Sequence, residues 1–393
     1  MIPRTKVNYG LADLVRAALS FEGRSRGRAD LIDSLRELTG CRHILLTASG
    51  RGALYAILKA VDRRRVLIPS YTCKAVDEAA LLADRHVVHV ATEPDGFNMD
   101  VAALEALVDS DSIIVATHQF GIPCDIDATM RIARERGALV VEDAAASLGT
   151  RVHGRLTGTI GDVGFFSFDS TKLVTVPLKG GFIATNDDAL AERIAAVLAN
   201  ETVAPSAIWK VKTLALAAIL VLIENGVLYR LFHWLFLQRR GLVTTDEPGL
   251  RPERTEFYRH ELTNWQARIA IPQILRLDSI VATRRRLHRE LRAGLAGVRC
   301  CLLPPPDTND EWACIRFPIR VRGDKLGYYR QLIQRSVDCA FSFTFIADPL
   351  ACEHARRLAD SVLDLPYYEK LTDREVSKVI AAVQSIDSTG ESS

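Results

Sequence analysis

The segment GDVGFFSFDSTK, residues 161–172, indicates both a fold and a chemistry for this chain. Its apolar middle predicts a buried strand, the lysine follows on a turn, and Gly180-Gly181 comes shortly after. A lysine in this setting can be desolvated enough to lose its proton and remain reachable, so Lys172 is a candidate for Schiff-base chemistry. Ser167, five residues earlier, offers a hydroxyl group to a phosphate oxygen.

Apolar runs alternate with amphipathic helical stretches between about residues 40 and 190. The runs are Arg65–Pro69, Val87–Val90, Ser112–Ala116, Ala138–Val141 and Gly181–Ala184. Continuous apolar strands separated by helices indicate an α/β fold with a mostly parallel sheet covered on both faces. Sheets of this kind bind ligands at the carboxyl ends of their strands.

Two polar features lie at such positions. Asp143 follows the fourth run and precedes small residues, so its carboxylate can face a bound ring, although an Asp there is more often a helix N-cap. The segment Ser49-Gly50-Arg51-Gly52 opens a predicted helix. Backbone N–H groups and the positive dipole end of a helix suit a phosphate, while a plain N-cap is the simpler explanation.

The chain of 393 residues is predicted to form two domains, residues 1–260 and 261–393. The second is expected to be a small α+β unit. Its predicted elements are a long amphipathic helix over Trp265–Leu295, a strand over Cys314–Val321, and helices over Tyr328–Arg335 and Asp373–Ser385.

An apolar insertion of about residues 205–240 interrupts the first domain. Its two arms are each shorter than the roughly 20 residues of a membrane span, and Asn225-Gly226 predicts a turn between them. The hairpin over residues 207–237 either packs on its own protein or its dimer mate, or lies in one leaflet of a membrane. Its aromatic residues and basic ends, Lys210, Lys212, Arg239 and Arg240, slightly favour the membrane.

Composition excludes several classes of protein. Fifty basic and 48 acidic residues give a net charge of +2, which provides no electrostatic basis for binding nucleic acid. The eight cysteines form no CxxC pair and no His cluster accompanies them, so no metal site is expected. The N-terminus does not resemble a secretory signal. A cytoplasmic location is therefore expected, with peripheral contact at the inner face of the membrane as an open alternative.

The motifs, taken in order, resemble those of the DegT/DnrJ/EryC1/StrS sugar aminotransferases. They are Ser49-Gly50, Ile68-Pro69-Ser70-Tyr71-Thr72, His118 to Asp125, Glu142 to Ala145, Gly161 to Lys172 and Gly180-Gly181. Two C-terminal segments, Leu262 to Ala267 and Leu363 to Asp373, are similar as well. The resemblance covers about residues 40–200 and 257–385, and the ordered set is specific although each motif alone is not.

The resemblance implies a pyridoxal-phosphate (PLP) transferase of fold type I, with a mostly parallel seven-stranded sheet and a homodimer with active sites at the interface. It implies PLP bound to Lys172, Asp143 on the pyridine nitrogen, and Ser167 with the backbone of Gly50 and Arg51 on the phosphate. The implied reaction takes an amino group from a donor, typically glutamate, and transfers it to a keto-sugar, usually nucleotide-linked. Lys172 would then move the proton as general base and acid.

Five positions depart from the family pattern around the cofactor. Arg51 replaces a Thr beside the phosphate, Cys73 replaces an aromatic residue that stacks on the ring, and Ala146 replaces a Gln at the ring oxygen. Leu178-Lys179 replaces an acidic pair, and Arg259 replaces an Asn that binds phosphate across the dimer. These changes suggest an unusual substrate or an altered reaction.

Two other functions stay open at this point. A relative of the family removes a sugar hydroxyl group instead of adding an amine, but it carries His in place of the lysine, so Lys172 argues against it. The other alternative is a scaffold with this fold and no turnover. The leading hypothesis remains amination of a keto-sugar, nucleotide- or lipid-linked, in polysaccharide or glycolipid synthesis.

Overall fold

The computed structural model describes residues 1–19, 26–238, 249–348 and 352–389. The strands are β1 (His43–Thr47), β2 (Arg65–Pro69), β3 (His86–Val90), β4 (Ser112–Thr117), β5 (Leu139–Asp143), β6 (Arg151–Val152), β7 (Arg155–Leu156), β8 (Val163–Ser167), β9 (Gly181–Thr185), β10 (Cys301–Leu302), β11 (Phe317–Val321) and β12 (Val362–Leu365). The helices are α1 (Leu11–Leu19), α2 (Gly27–Thr39), α3 (Gly50–Ala60), α4 (Lys74–Leu82), α5 (Val101–Leu107), α6 (Ile126–Arg136), α7 (Asp188–Glu201), α8 (Ala207–Ile223), α9 (Gly226–Phe232), α10 (Glu256–Arg259), α11 (Asn264–Leu275), α12 (Leu277–Gly294), α13 (Lys325–Gln334), α14 (Glu353–Ser361) and α15 (Asp373–Thr389).

Seven strands form the large sheet, in the order β1-β9-β8-β5-β4-β2-β3. Strands β3, β2, β4, β5 and β8 run parallel, and β9 is antiparallel to both β8 and β1. The predicted mostly parallel seven-stranded sheet is therefore confirmed. Its parallel strands end at one edge, and this edge carries the polar residues that the sequence singles out.

Alternate residues of the central strands enter two different cores. Ile113 and Val115 of β4 pack with α3, α4 and α7 on one face, whereas Ile114 and Ala116 pack with α5 and α6 on the other. Every residue of β4 is buried. Burial on both faces explains why such strands appear in the sequence as continuous apolar runs without polar alternation.

A second, antiparallel sheet of three strands, β10-β11-β12, lies in the C-terminal part of the chain. Helices α12 to α15 supply residues to the core around it. This second sheet agrees with an α+β unit at the C-terminal end, and the boundary between residues 260 and 261 stays a prediction.

The long helix predicted over Trp265–Leu295 is wrong in one respect, because the structure has two helices there. Arg276 leaves the helical conformation with φ −110° and ψ 19°, between α11 and α12. Helix α11 packs on α2 of the large domain, and α12 packs on α15 of the small one. Both helices are amphipathic, so the apolar pattern continues across the break and conceals it.

The strand predicted over Cys314–Val321 begins later, at Phe317. Its first residues bind the large domain instead of the small sheet, since the amide of Ile315 donates to the carbonyl oxygen of Phe120 over 2.9 Å. This crossing brings Ile315 and Arg316 to the edge where the parallel strands end.

The apolar insertion forms the predicted pair of helices, α8 and α9, followed by a π-helical segment His233–Gln238. Asn225 caps α9 by accepting a hydrogen bond from the amide of Val227 over 3.0 Å. The turn falls at the predicted position, and the two helix axes meet at 111°, so the pair is sharply bent. Arg239 and Arg240, named as its basic end, lie outside the described residues.

The insertion is packed on the protein along one side. Thr213 and Ala217 of α8 are buried, and Ala217 belongs to a core shared with α1 and α11. Other apolar side chains of the insertion stay exposed, among them Val227 at 79% and Ile208 at 69%. Within the described residues no single helix is long and apolar enough to cross a membrane. The bent pair Ala207–Ile223 and Gly226–Leu235, taken together, passes the same test, by length and composition only.

Candidate active site

A cavity of about 240 Å³ lies at the carboxyl ends of the parallel strands, between the large sheet and the segment that leads into β11. Seven of the eight predicted site residues line it. They are Gly50, Arg51, Cys73, Asp143, Ala146, Ser167 and Lys172. The fold thus brings together residues that are widely separated in the sequence.

Lys172 lies on the loop after β8, where its amide donates to the carbonyl oxygen of Asp169 over 2.9 Å. Burial lowers the pKa of its amine from the ordinary value for lysine. The carboxylates of Asp169 and Asp143 oppose this shift, and the charge of Arg316 adds to it. A lowered pKa makes more of the amine available as the neutral nucleophile at a given pH.

Asp143 ends β5 and is buried. Its carboxylate accepts a hydrogen bond from the amide of Ala145 over 3.0 Å and a longer one from the hydroxyl of Thr117 over 3.5 Å. Burial raises its pKa, although the amide of Ala145 and the charge of Lys172 oppose the shift. A cationic group bound in the cavity would therefore stabilise the ionised carboxylate strongly.

The N-terminus of α3 forms one end of the cavity. Ser49 is the N-cap residue, and its hydroxyl accepts a hydrogen bond from the amide of Gly52 over 3.0 Å. A side chain at Gly50 would place its Cβ 3.1 Å from the Cβ of Ser167, so glycine keeps the helix start open beside that hydroxyl. A Cβ at Gly181 would lie 2.5 Å from the carbonyl oxygen of Phe166, which explains a glycine there.

Two of the departures from the family pattern, Arg51 and Lys179, lie at this same end. The guanidinium of Arg51 is 3.6 Å from the carboxylate of Glu78, and the amine of Lys179 is 3.1 Å from that of Asp169. Lys179 also lies 4.8 Å from the centre of the Phe257 ring. Each cation of this pair thus has a carboxylate beside it.

The other departures differ in position. Cys73, the N-cap residue of α4, is exposed at the cavity wall, and Ala146 lies on the wall after β5. Aromatic surface in the cavity comes from Phe120 and Phe343, whose ring centres are 5.4 Å apart. Arg259 ends α10 as an exposed residue and does not line the cavity of its own chain, so its predicted role across a dimer stays a prediction.

A buried pair beneath the cavity has a role that the sequence did not reveal. The Nε2 atom of His118 is 2.8 Å from Oε1 of Glu142, and both side chains are fully buried. The Nδ1 atom of His118 accepts the amide of Cys124, so Nε2 carries the proton and donates it to Glu142. The second oxygen of Glu142 accepts from the amides of Ile160 and Gly161 and holds the loop before β8.

Arg316 is the second residue that sequence reasoning missed. It lines the cavity immediately before β11, and its Nη1 atom lies 3.5 Å from Oδ2 of Asp364 on β12. A cation within a predicted strand carries no motif of its own. Only the contact of Ile315 with Phe120 brings it to the cavity.

The chain is similar to proteins of known family. Residues 26–384 match the model of the DegT/DnrJ/EryC1/StrS aminotransferase family. GDP-perosamine synthase of Caulobacter vibrioides is 35% identical over 159 residues, 39% of this chain and 43% of that protein, so the match spans less than half of the relative's length.

Solved structures agree over almost the whole chain. PseC of Helicobacter pylori, an aminotransferase involved in the biosynthesis of pseudoaminic acid, has a TM-score of 0.78 at 15% identity and covers 99% of each chain. Spr1654 of Streptococcus pneumoniae in its PLP-form has a TM-score of 0.78 at 17% identity, covering 99% of both chains. At these identities the likeness concerns the fold.

The sheet order and the cavity with its half-buried lysine define a PLP-dependent transferase fold of type I. The chain belongs to the DegT/DnrJ/EryC1/StrS aminotransferase family. The fold class, the family and PLP as the family's cofactor, all expected from the sequence, are confirmed. The roles of single residues remain predictions.

Proposed function

We propose that this chain is a PLP-dependent aminotransferase, which takes an amino group from a donor such as L-glutamate and transfers it to a keto-sugar. The observation that carries the proposal is that Lys172 and Asp143 line one cavity with the open N-terminus of α3. The names of the relatives, GDP-perosamine synthase and PseC, support a sugar as the acceptor. A nucleotide- or lipid-linked sugar in polysaccharide or glycolipid synthesis fits this class.

The residues of the cavity fit PLP. Gly50 leaves room beside the hydroxyl of Ser167, and a helix N-terminus with free amides is suited to a phosphate. Asp143 offers a buried carboxylate, which a protonated pyridine nitrogen would satisfy. Lys172 supplies an amine with a lowered pKa in the same cavity. When bound, PLP supplies an electron sink for the reacting carbon.

The chain's own groups perform the remaining tasks. Asp143 keeps the nitrogen of the ring protonated, because its carboxylate has little water to stabilise it otherwise. Lys172, once its amine is free, accepts a proton from the substrate carbon and returns it on the other side of the transfer. The lowered pKa of Lys172 makes the neutral amine, which can accept that proton, more available at a given pH.

A spectral titration tests the proposal. Purified protein is loaded with PLP, and L-glutamate is added while the absorbance of the bound cofactor is followed. We expect the absorbance to change as the amino group is taken up, and a keto-sugar added afterwards to restore the original spectrum. The Lys172→Ala variant should not complete the transfer of the amino group, because it lacks the amine that moves the proton.

Two outcomes would favour the alternatives. A chain that binds no PLP would be a scaffold with this fold. A chain that binds PLP and, in the presence of an amino donor, releases a hydroxyl group from a sugar without aminating it would perform the dehydration chemistry of the related enzymes. Either result would overturn the aminotransferase proposal.

We propose further that the chain forms a homodimer, as enzymes of this family do, in which Arg259 reaches the partner's cavity. Its position at the exposed end of α10 is compatible with such a contact. Sedimentation would measure the mass of the particle. Mixing Arg259→Ala with Lys172→Ala protein tests the shared site, because hybrid dimers carry one intact site.

Peripheral membrane contact through residues 207–237 is a separate proposal, and a cytoplasmic location stays a prediction. Support comes from the exposed apolar side chains of α8 and α9 and from Trp234, which is 49% exposed. We expect the protein to bind anionic phospholipid vesicles and the double variant Val227→Ser, Trp234→Ser to bind them much less. Leu275→Ser, which removes a residue 75% exposed on α11, is the matched control. No binding by the intact protein would contradict the proposal, and a change of particle mass in the double variant would assign this face to the dimer.

A further inference from the structure

A second cavity, of about 220 Å³, lies between the apolar insertion and the first residues of the chain. It is only slightly smaller than the active-site cavity of about 240 Å³. Residues 4–7, Ser170 and the two helices of the apolar insertion line it. The roles proposed above do not use this cavity.

Apolar side chains of the insertion supply one part of the wall of this second cavity. Leu220 and Ile223 of α8 and Phe232 of α9 line it. On the same helix α8, Ile219 and Leu222 are exposed, so apolar surface continues outside the cavity. Such a wall is suited to a hydrocarbon chain, because binding would remove apolar surface of both the chain and the protein from water.

Lys6 also lines the second cavity, and its amine has no hydrogen-bond partner among the residues that the structure describes. Its side chain is only 15% exposed, and its Nζ atom lies 3.7 Å from Oε1 of Glu375, which is too far for a hydrogen bond. Nζ also lies 5.2 Å from the centre of the Tyr368 ring. A shielded ammonium group has three N–H donors to satisfy, so a bound anion would stabilise it.

Arg4 brings a second cation to this cavity, and a buried carboxylate holds it in place. Its Nε and Nη2 atoms donate to the two carboxylate oxygens of Asp338 over 2.8 and 3.1 Å. The hydroxyl of Tyr229 donates to Asp338 as well, over 2.5 Å. Nη1 of Arg4 takes no part in this pair and can donate to a further acceptor. Arg4 and Lys6 therefore present positive charge and N–H donors beside the apolar wall.

Glu224, at the corner between α8 and α9, is a carboxylate among the residues that line this cavity, and its charge is matched. Its Oε1 atom accepts the amide of Val7 over 2.5 Å, and its Oε2 atom accepts the amine of Lys370 over 3.0 Å. Because the charge of Lys370 lies beside it, Glu224 should repel an anion in the cavity only weakly.

We propose that the second cavity binds an amphiphile in which one phosphate group is joined to a single hydrocarbon chain, with the phosphate beside Lys6 and Arg4 and the chain against the apolar wall. Two cations close together suit a phosphate, which accepts several charge-assisted hydrogen bonds at once. The site involves no amino transfer, so it does not rest on the proposed function. Ser170 lines this cavity whereas Thr171 and Lys172 line the active-site cavity, so one loop contributes to both walls.

Calorimetric titration of the full-length, PLP-loaded protein tests the site with three probes. Octyl phosphate, used below the concentration at which it forms micelles, has both parts of the ligand, 1-octanol lacks the phosphate, and inorganic phosphate lacks the chain. We expect octyl phosphate to bind once per chain and each of the other two to bind at least about tenfold more weakly, because each loses one kind of contact. No binding of octyl phosphate to the wild type, or equal affinities for octyl phosphate and 1-octanol, would overturn the proposal.

Lys6→Gln tests the phosphate contact. The variant should raise the Kd for octyl phosphate by about 10- to 100-fold, as loss of a charge-assisted hydrogen bond predicts, and should leave the Kd for 1-octanol unchanged. Lys378→Gln is the matched control, since Lys378 is exposed and is not among the described residues that line the cavity. An unchanged Kd for octyl phosphate in Lys6→Gln, or an equal increase in Lys378→Gln, would contradict the proposal.

Ile223→Trp tests the place of the chain, because the larger side chain would fill the apolar part of the cavity. It should abolish binding of octyl phosphate and 1-octanol, whereas Leu222→Trp, at an exposed position of the same helix, should bind both as the wild type does. The absorbance of bound PLP checks that each variant is folded. Binding that survives in Ile223→Trp, or that is lost equally in Leu222→Trp, would overturn the proposal.

The double variant Val227→Ser, Trp234→Ser separates this site from membrane contact. Neither residue is among the described residues that line the cavity, so octyl phosphate should bind the double variant with unchanged affinity. Loss of octyl phosphate binding in a folded double variant would assign the binding to the exposed apolar face and would overturn the assignment to the cavity.

Discussion

The two ends of the active-site cavity are lined by different kinds of chemical group. At the end formed by α3, which we call the phosphate end after its proposed ligand, the cavity is lined by the backbone at the start of α3 and the hydroxyl of Ser167, and glycine at position 50 keeps it open. At the other end, the proposed reacting end, are two charged side chains, the half-buried Lys172 and the buried Asp143. A backbone site tolerates exchange of neighbouring side chains, whereas a side-chain site does not.

This difference accounts for two of the five departures from the family pattern. Arg51 and Lys179 change the charge at the phosphate end, yet Gly50 and the amides of α3 are kept. The two residues that must react or pair with the ring, Lys172 and Asp143, are unchanged from the family motif. Substitution of matched residues at the two ends of the cavity should therefore have different effects.

Lys172→Ala should have the largest effect. We expect amino transfer to fall by about 10⁴-fold or more, because the variant lacks the group that moves the proton. Lys179→Ala, which removes the other lysine of the cavity, should retain activity within about tenfold, since a contact of this kind is worth about 1 kcal/mol. The initial rates of amino transfer by the two variants test this. Similar losses of rate in both variants would mean that the two ends of the cavity do not differ in this way.

Asp143→Asn should reduce the rate of amino transfer by about 10²- to 10³-fold, the usual effect of removing one positioned electrostatic group. The amide keeps the shape of the carboxylate but not its charge, so PLP should still bind. Spectra and rates of the loaded variant measure this. A rate within about threefold of the wild type would show that Asp143 is no partner of the ring.

Ser167→Ala should act on binding and not on the chemical step. Loss of one charge-assisted hydrogen bond to a phosphate predicts an increase of about 10- to 100-fold in the Kd for PLP. Ser170→Ala is the control: it lies in the same segment but lines a different cavity, beside the apolar insertion. Fluorescence titration measures the Kd for PLP of both variants. Equal affinities of the two variants would mean that the phosphate binds elsewhere.

The smallest effect concerns pH. The pKa of Asp169 is lowered, because the charges of Lys179 and Lys172 outweigh burial, so Asp169 is ionised at neutral pH. Its charge favours the ammonium form of Lys172, and Asp169→Asn should lower the pKa of Lys172 further. Uptake of PLP by the apo-protein needs the neutral amine. Its rate should therefore rise with pH and then level off, with the midpoint of the rise below 10.5, the ordinary pKa of lysine.

In Asp169→Asn that plateau should begin at lower pH. The uptake rate near neutrality should increase, because a larger fraction of the amine is then neutral. A plateau displaced toward higher pH would contradict the sign of this argument. Asp188→Asn serves as the control, because Asp188 begins α7 at the protein surface.

Much of the site could be predicted because its parts lie in short, ordered motifs. Lys172 and Ser167 belong to one segment, and Asp143 and Gly50 each follow a strand. The pair formed by His118 and Glu142 escaped notice because each residue lies in a motif without revealing its partner. Arg316 escaped because its position depends on how the C-terminal unit packs on the large domain.

The same contrast holds for the fold. Apolar runs predicted the strands of the large sheet well, because burial on both faces leaves a continuous local signal. The break at Arg276 was missed, since the amphipathic period of α11 continues into α12. The angle of 111° between α8 and α9 also depends on contacts with other parts of the chain, including the core that contains Ala217.

The sequence by itself determined the family and the parallel sheet and singled out Lys172 as the proposed reacting residue, because local patterns and ordered motifs carry this information. Only the tertiary structure decided which charges face one another: the proximity of Arg316 to Lys172, the burial of Asp143 and the pairing of Arg51 with Glu78. Electrostatic energies depend on distance and burial in three dimensions, and neither quantity is encoded in the spacing of residues along the chain.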